Sequence, residues 1–223
     1  MERRKFAVIF DMDGVIVDSN PAHKEAIQRF LQRHDQSLSD NELREKVYGR
    51  TNRDWLRNTF NGITEEQIAE YIDEKEAIFR EIFAGDIRPL PGLQEFLDSL
   101  QGMQVPMAVG TSAPQVNADW VLNQTGLREY FEVVLQAEDV THGKPHPEMY
   151  LKSAWALGMR PEDCIIFEDS VSGIEAGRRA GGTVIGVTTT HSREEMAATA
   201  FVISDFTEIT PEQLPEIVHE PRN

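Results

Sequence analysis

Five short apolar runs constrain this chain more than any other feature: FAVIF (6–10), MAVG (107–110), CIIF (164–167), TVIGV (183–187) and FVI (201–203). Each has strand length, and each is continuous rather than alternating, the pattern of a strand covered on both faces. Amphipathic stretches of helical length separate most of them, at 91–100, 113–124, 147–157, 171–180 and 211–218. Strand runs alternating with helices predict an α/β fold on a parallel sheet. The 223 residues suffice for one such core and a smaller companion.

The alternation breaks once. From 19 to 86 there is no strand run, only helical patterning, so the division predicted is an α/β core from 1–18 and 87–223 with a helical cap inserted at 19–86. Charge divides along the same line. The chain has 38 acidic and 22 basic residues, net -16; the insert holds 14 acids and 10 bases, net -4, and the rest holds 24 and 12, net -12. Basic residues concentrated in the insert either supply cations for an anionic ligand or solvate helix faces, and the sequence leaves both open. The overall negative charge argues against nucleic acid or an anionic membrane as partner, since both are held by Lys and Arg clusters. No apolar run approaches the roughly 20 residues of a membrane helix. The one cysteine, Cys164, sits in an apolar run as a small hydrophobe and fits a cytoplasmic protein.

In open α/β sheets ligands bind beyond the carboxyl ends of the strands, so the residue after each run is the informative one. FAVIF is followed by Asp11 and Asp13, MAVG by Thr111 and Ser112, CIIF by Glu168 and Asp169, and TVIGV by Thr188–Thr190. Each acid taken alone reads equally as a helix cap or a turn residue, and Asp169 stands just before a helix. Four carboxylates gathered together repel one another unless a cation or a proton intervenes. A hard divalent ion of the Mg²⁺ type answers that need and adds attraction for phosphate. Asp11 and Asp13, followed by Gly14, suit a nucleophile and a general acid/base brought together by a tight turn. Lys144 offers a cation for phosphoryl charge, and Thr111 and Ser112 offer donors; for Lys144 alone, an ordinary loop lysine is the competing reading.

FDMDGV at 10–15, the strand ending at Thr111, Lys144 in GKPHPE and FEDSVSGIEAG at 167–177 resemble the four ordered motifs of the haloacid dehalogenase superfamily. The match is most similar to the helical-cap branch of sugar phosphate phosphatases and β-phosphoglucomutases. The resemblance implies a Rossmann-like core with a helical-bundle cap and a Mg²⁺ cofactor. It implies Asp11 as nucleophile and metal ligand, Asp13 as general acid/base with its carbonyl on the metal, Thr111 on the transferring phosphoryl group, and Lys144 neutralising that group and orienting Asp11. Glu168 and Asp169 complete the implied metal site. Superfamily dehalogenases lack the second aspartate, so Asp13 points to phosphoryl transfer.

In the cap, His23 resembles a hinge histidine of the mutases, against the plainer reading of a surface helix histidine. Gly49, Arg50 and Thr51 resemble the cap loop facing the active site, but where the mutases carry a phosphate-gripping arginine this chain has Asn52, with Arg50 and Arg53 nearby. Lys75 falls on the apolar stripe of Ile68, Ile72, Phe79 and Ile82; it either grips an anionic group or snorkels to water. The expectation is a cytoplasmic, Mg²⁺-dependent phosphatase of a small phosphorylated metabolite, probed through His23, Arg50 and Lys75, and a monomer or small homo-oligomer. The alternative is an isomerase of the β-phosphoglucomutase type, which returns the phosphoryl group to the sugar.

Overall fold

The computed structural model describes residues 6–47 and 51–219. The chain divides between Asp18 and Ser19 and again between Ile87 and Arg88 into two compact units.

The first unit is a parallel sheet of six strands: β1 (Ala7–Phe10), β2 (Met107–Gly110), β3 (Val133–Leu135), β4 (Cys164–Glu168), β5 (Thr183–Val187) and β6 (Phe201–Ile203). Their order is β3-β2-β1-β4-β5-β6, the doubly wound order, with the chain reversing direction of travel between β1 and β4. Connecting helices are α5 (Leu93–Gly102), α6 (Gln115–Gln124), α7 (Glu148–Ala156), α8 (Val171–Ala180) and α9 (Leu214–His219). The central strands β1, β2, β4 and β5 are buried at every residue, which accounts for their unbroken apolar spelling.

Neighbouring side chains on these strands go to opposite faces. On one face Phe10 stacks on Phe167 with ring centroids 5.2 Å apart, and Phe96 of α5 and Phe206 pack edgewise or tilted against the pair. On the other face Ala7, Ile9, Cys164, Ile166 and Val184 pack with Tyr150 and Ala154 of α7 and Ile174 of α8. Each fully buried large side chain contributes roughly 1.5–3 kcal/mol. Gly92 shows how closely these layers meet. Its φ is +75°, and a Cβ there would stand 2.8 Å from the backbone of Phe206 and Thr207.

The second unit is helical throughout its described residues: α1 (Asn20–Arg33), α2 (Asp40–Lys46), α3 (Asn52–Thr59) and α4 (Glu65–Phe83). Capping boxes at Ser39/Glu42 and Thr64/Gln67 start α2 and α4. Phe30, Trp55 and Tyr71 meet edge to face at its centre, with Ile68 and Leu56 fully buried.

The strand β3 was absent from the sequence expectation. It has three residues, none fully buried, and pairs on one side only, so VVL carries neither the length nor the apolar flanks of a central strand. At 211–218 the expected single helix is a short 3₁₀ turn, Pro211–Gln213, leading into α9.

Candidate active site

The carboxyl ends of β1 and β4 lie side by side, because these strands pair in register from Ala7↔Cys164 to Phe10↔Phe167. The ladder continues one step, Asp11 N–H donating to the Phe167 carbonyl at 3.0 Å. Asp11, Glu168 and Asp169 are thereby carried to one place, each buried, with one carboxylate oxygen from each within 4.8 Å of the others. After Asp11 the chain turns back at Gly14 (φ +79°), whose N–H donates to the Val17 carbonyl at 2.7 Å. Asp13, half-buried on this turn, is close enough for its charge to act on both Asp11 and Asp169.

Lys144 enters between two of the acids. Its Nζ stands 3.0 Å from Asp11 Oδ1 and 2.6 Å from Glu168 Oε1, with the side chain only 7% exposed, so it is no ordinary loop lysine. The ammonium also lies 5.0 Å from the Tyr150 ring centroid. Glu168 is fully buried and accepts four hydrogen bonds. Lys144 Nζ and Tyr150 OH each donate to Oε1 at 2.6 Å, and Ser170 N–H and Oγ donate to Oε2 at 2.9 and 3.0 Å. These use the roughly four lone-pair directions of a carboxylate. Ser170 also caps α8 by accepting from Gly173 N–H at 3.0 Å.

Asp169 accepts from Thr190 Oγ1, and Thr189 Oγ1 lies 3.4 Å from the same carboxylate oxygen. Thr189 Oγ1 donates to the Gly14 carbonyl at 2.6 Å, fastening the loop after β5 to the turn after β1. Thr111, at the end of β2, is buried; its hydroxyl accepts from Ala113 N–H at 3.0 Å and its N–H donates to the Leu135 carbonyl. Ser112 is exposed.

The charges are unbalanced. Burial raises the Asp11 carboxyl well above the ordinary range; Lys144 opposes this, and Glu168, Asp169 and Asp13 add to it. Burial, then the charge of Glu168, pushes Asp169 up to about 7. Glu168 goes the other way: burial would raise it, but Lys144 and the donors from Tyr150 and Ser170 hold it low. Lys144 is held above its ordinary value, because Asp11 and Glu168 outweigh the cost of burial. One buried lysine thus faces an acid cluster with negative charge in excess, and all-oxygen donors of this kind fit a hard divalent cation such as Mg²⁺.

The helical unit holds its own polar cluster. Lys75 Nζ is 2.5 Å from Glu76 Oε1 and 3.2 Å from His23 Nδ1, and its side chain is 4% exposed, so the amine does not snorkel to water. Asn52 Nδ2 donates to the same Glu76 oxygen at 2.6 Å, and Asn52 Oδ1 accepts from Trp55 Nε1 at 3.1 Å. His23 stacks flat on Phe79 with centroids 3.8 Å apart, which is not the setting of a surface histidine. Five bases of this unit, Arg29, Arg33, Lys46, Arg53 and Arg57, are exposed and paired with Glu25, Glu74, Glu42 and Glu65, so for these the solvated-face reading holds. Arg50, with Gly49, lies outside the described residues.

Sequence reading missed Tyr150 and Glu76, and named Asn52 only as the residue standing where the mutases carry an arginine. Tyr150 occupies an apolar position of α7, and nothing in PEMYLKSAWALG sets its hydroxyl apart.

A parallel sheet whose two middle strands end in buried carboxylates about a lysine defines a class of hydrolase cores. The family model of haloacid dehalogenase-like hydrolases matches residues 8–187, and the chain belongs to that family. It is 33% identical over 201 residues to validoxylamine A 7'-phosphate phosphatase of Streptomyces hygroscopicus subsp. limoneus, covering 90% of this chain and 94% of that one. It is 33% identical over 180 residues to phosphorylated carbohydrates phosphatase of Thermotoga maritima, covering 78% and 81%. Among solved structures, β-phosphoglucomutase of Clostridium difficile matches with a TM-score of 0.85 at 26% identity, covering 97% of this chain and 98% of that one. No helix among the described residues is long and apolar enough to cross a membrane.

Proposed function

We propose that the protein is a Mg²⁺-dependent phosphatase of small phosphorylated metabolites, with sugar phosphates as the substrate class. The observation that carries this reading is Lys144 held between Asp11 and Glu168, with Asp169 alongside. The relative named phosphorylated carbohydrates phosphatase supports the substrate class.

In the proposed reaction an Asp11 carboxylate oxygen attacks phosphorus and the bond from phosphorus to the substrate oxygen breaks, while Asp13 gives that oxygen its proton. Asp13 then takes a proton from water as the water oxygen attacks phosphorus. The bond to Asp11 breaks, and inorganic phosphate leaves. Lys144 offsets phosphoryl charge and keeps the Asp11 carboxylate oriented and ionised, against the burial that raises its pKa. Thr111 and Ser112 are proposed to donate to the phosphoryl oxygens. Mg²⁺, held by Asp11, Asp169 and the Asp13 carbonyl, would supply further positive charge to the phosphoryl group. Glu168, with four donors already on its oxygens, adds negative charge to that site and chiefly fixes Lys144. His23, Lys75 and Arg50 of the helical unit are assigned to substrate choice.

The test is phosphate release from a panel of sugar phosphates with Mg²⁺, for the native protein and Asp11→Asn. The expected result is turnover of at least one sugar phosphate and a fall of roughly 10⁴-fold or more in the variant. Undiminished turnover in Asp11→Asn refutes the nucleophile. The likeness to β-phosphoglucomutase favours a second reading, phosphosugar isomerisation. β-Glucose 1-phosphate with a trace of the bisphosphate separates the two: glucose 6-phosphate without free phosphate selects the isomerase.

A further inference from the structure

The loop that delivers Lys144 carries a second cluster for which the phosphatase chemistry has no use. His142 and His146 stand two residues either side of Lys144, and Glu148 opens α7. Their side chains meet. The two imidazole rings lie 4.6 Å apart between centroids. His142 Nδ1 is 3.2 Å from Glu148 Oε2, and His146 Nδ1 is 4.0 Å from the same oxygen. One donor atom from each residue lies within 4.8 Å of the other two.

Ligand atoms about a tetrahedral ion at about 2.0–2.1 Å stand roughly 3.3 Å from one another. The His142–Glu148 separation already matches, and the half-exposed His146 ring needs only a small turn. Glu148 is built to remain an anion. Lys152 at 2.8 Å and Thr141 N–H at 3.0 Å engage Oε1, and His142 N–H donates to Oε2 at 3.0 Å. These bonds hold its carboxyl at about 2, so it is charged wherever the imidazoles are neutral. Two neutral imidazoles and one carboxylate form a borderline-soft donor set, unlike the all-oxygen set at Asp11 and Asp169, and it suits Zn²⁺ with water in the fourth position.

We propose that His142, His146 and Glu148 form a surface site for a Zn²⁺-type transition-metal ion, separate from the acidic site and attached to the loop of Lys144. On binding, the hydrogen bond between His142 Nδ1 and Glu148 Oε2 gives way to the ion. In a neutral ring the proton moves to Nε2; from an imidazolium it is released to water. His146 Nδ1 gives up its 3.3 Å bond from Glu148 N–H, a helix-start donor that water satisfies instead.

The test does not depend on the activity proposed above. Zn²⁺ is titrated calorimetrically, and counted by native mass spectrometry, into protein held in excess Mg²⁺ so that the acidic site is filled. The native protein is expected to bind one Zn²⁺ per chain, with the His142 and His146 side-chain ¹⁵N resonances shifting. The His142→Ala/His146→Ala variant is expected to lose that ion, weakening binding by more than roughly 100-fold, while its circular dichroism stays native. His142→Ala alone, at a side chain 63% exposed, serves should the double variant fail to fold. No zinc bound in Mg²⁺, equal zinc bound by the variants, or zinc lost through Asp169→Asn instead would each overturn the proposal.

Discussion

Gly173→Ala strikes the site without touching any charged residue. Gly173 is the third residue of α8, and a Cβ placed there would stand 1.6 Å from Glu168 Oε1 and 2.3 Å from Oε2. The far end of a glutamate ordinarily swings clear of such a contact. This one is buried and tied by four donors, two of them at 2.6 Å. To reach an ordinary 3.4 Å contact, Oε1 must retreat by 3.4 minus 1.6, about 1.8 Å, which stretches the bonds to Lys144 and Tyr150 beyond hydrogen-bond range. Opening a buried ion pair costs about 3–5 kcal/mol, and the better helix propensity of alanine returns about 1. The net loss of about 2–4 kcal/mol is a large part of the roughly 5–15 kcal/mol that stabilises a typical domain. At about 2–4 °C per kcal/mol for a chain of this size, the melting temperature should fall by about 10 °C. Thermal melts by circular dichroism read the stability term. Steady-state phosphate release reads the other, a drop in kcat larger than the change in KM, because Lys144 loses one of its two anchors. Gly102→Ala, at the end of α5 with open space around it, is the control and should stay within about 1 kcal/mol of the native protein. A Gly173→Ala protein that melts within two degrees of native and keeps its kcat would refute the clamp on Glu168.

Tyr150→Phe removes a single donor from Glu168 and should cost about 1.5–3 kcal/mol in urea unfolding, with a smaller kcat loss than Gly173→Ala. Chelation of divalent ions should stop phosphate release, and added Mg²⁺ should restore it; full turnover in chelator would exclude the metal. Burial, helped by Asp163 and Glu162, pushes the Cys164 thiol from 9.0 up to about 12. At pH 8 a disulfide reagent should therefore leave it untouched in the native protein and label it rapidly in denaturant. The sign for stability follows: this contribution is complete below about pH 9, where the thiol is protonated in both states. It is lost as pH rises toward 12, because only the unfolded chain ionises early.

The clustered acids were legible because each stands at the end of a fully buried strand, and such strands announce themselves as unbroken apolar runs. Asp11 after AVIF and Glu168 with Asp169 after CIIF are placed together by the sequence pattern alone. β3 was not legible, since a three-residue edge strand leaves each of its side chains only partly covered. Lys75 stood out as a charge on an apolar stripe, but its partners did not. Glu76 and Asn52 are polar residues on helices that otherwise read as solvated, and only the packing of α1, α3 and α4 buries Glu76 and brings Asn52 against it. Tyr150 is the reverse case, a residue whose apolar ring satisfied the helix pattern and hid a hydroxyl that works in the acid cluster. Pattern reports burial well and reports the partner of a buried polar atom poorly, because partners are far apart in sequence.

The hydrogen bond from Asp11 N–H to the Phe167 carbonyl extends the β1–β4 ladder to the first acid of the cluster. These are the two middle strands of six, the part of a sheet that opens only when the whole domain does. The spacing between Asp11 and the acids of β4 is therefore insulated from fraying at β3 and β6 and from wholesale change in the loops. Substitutions can accumulate elsewhere while the distance between these acids stays locked to global stability. Amide exchange at Asp11 should accordingly be as slow as the slowest in the protein.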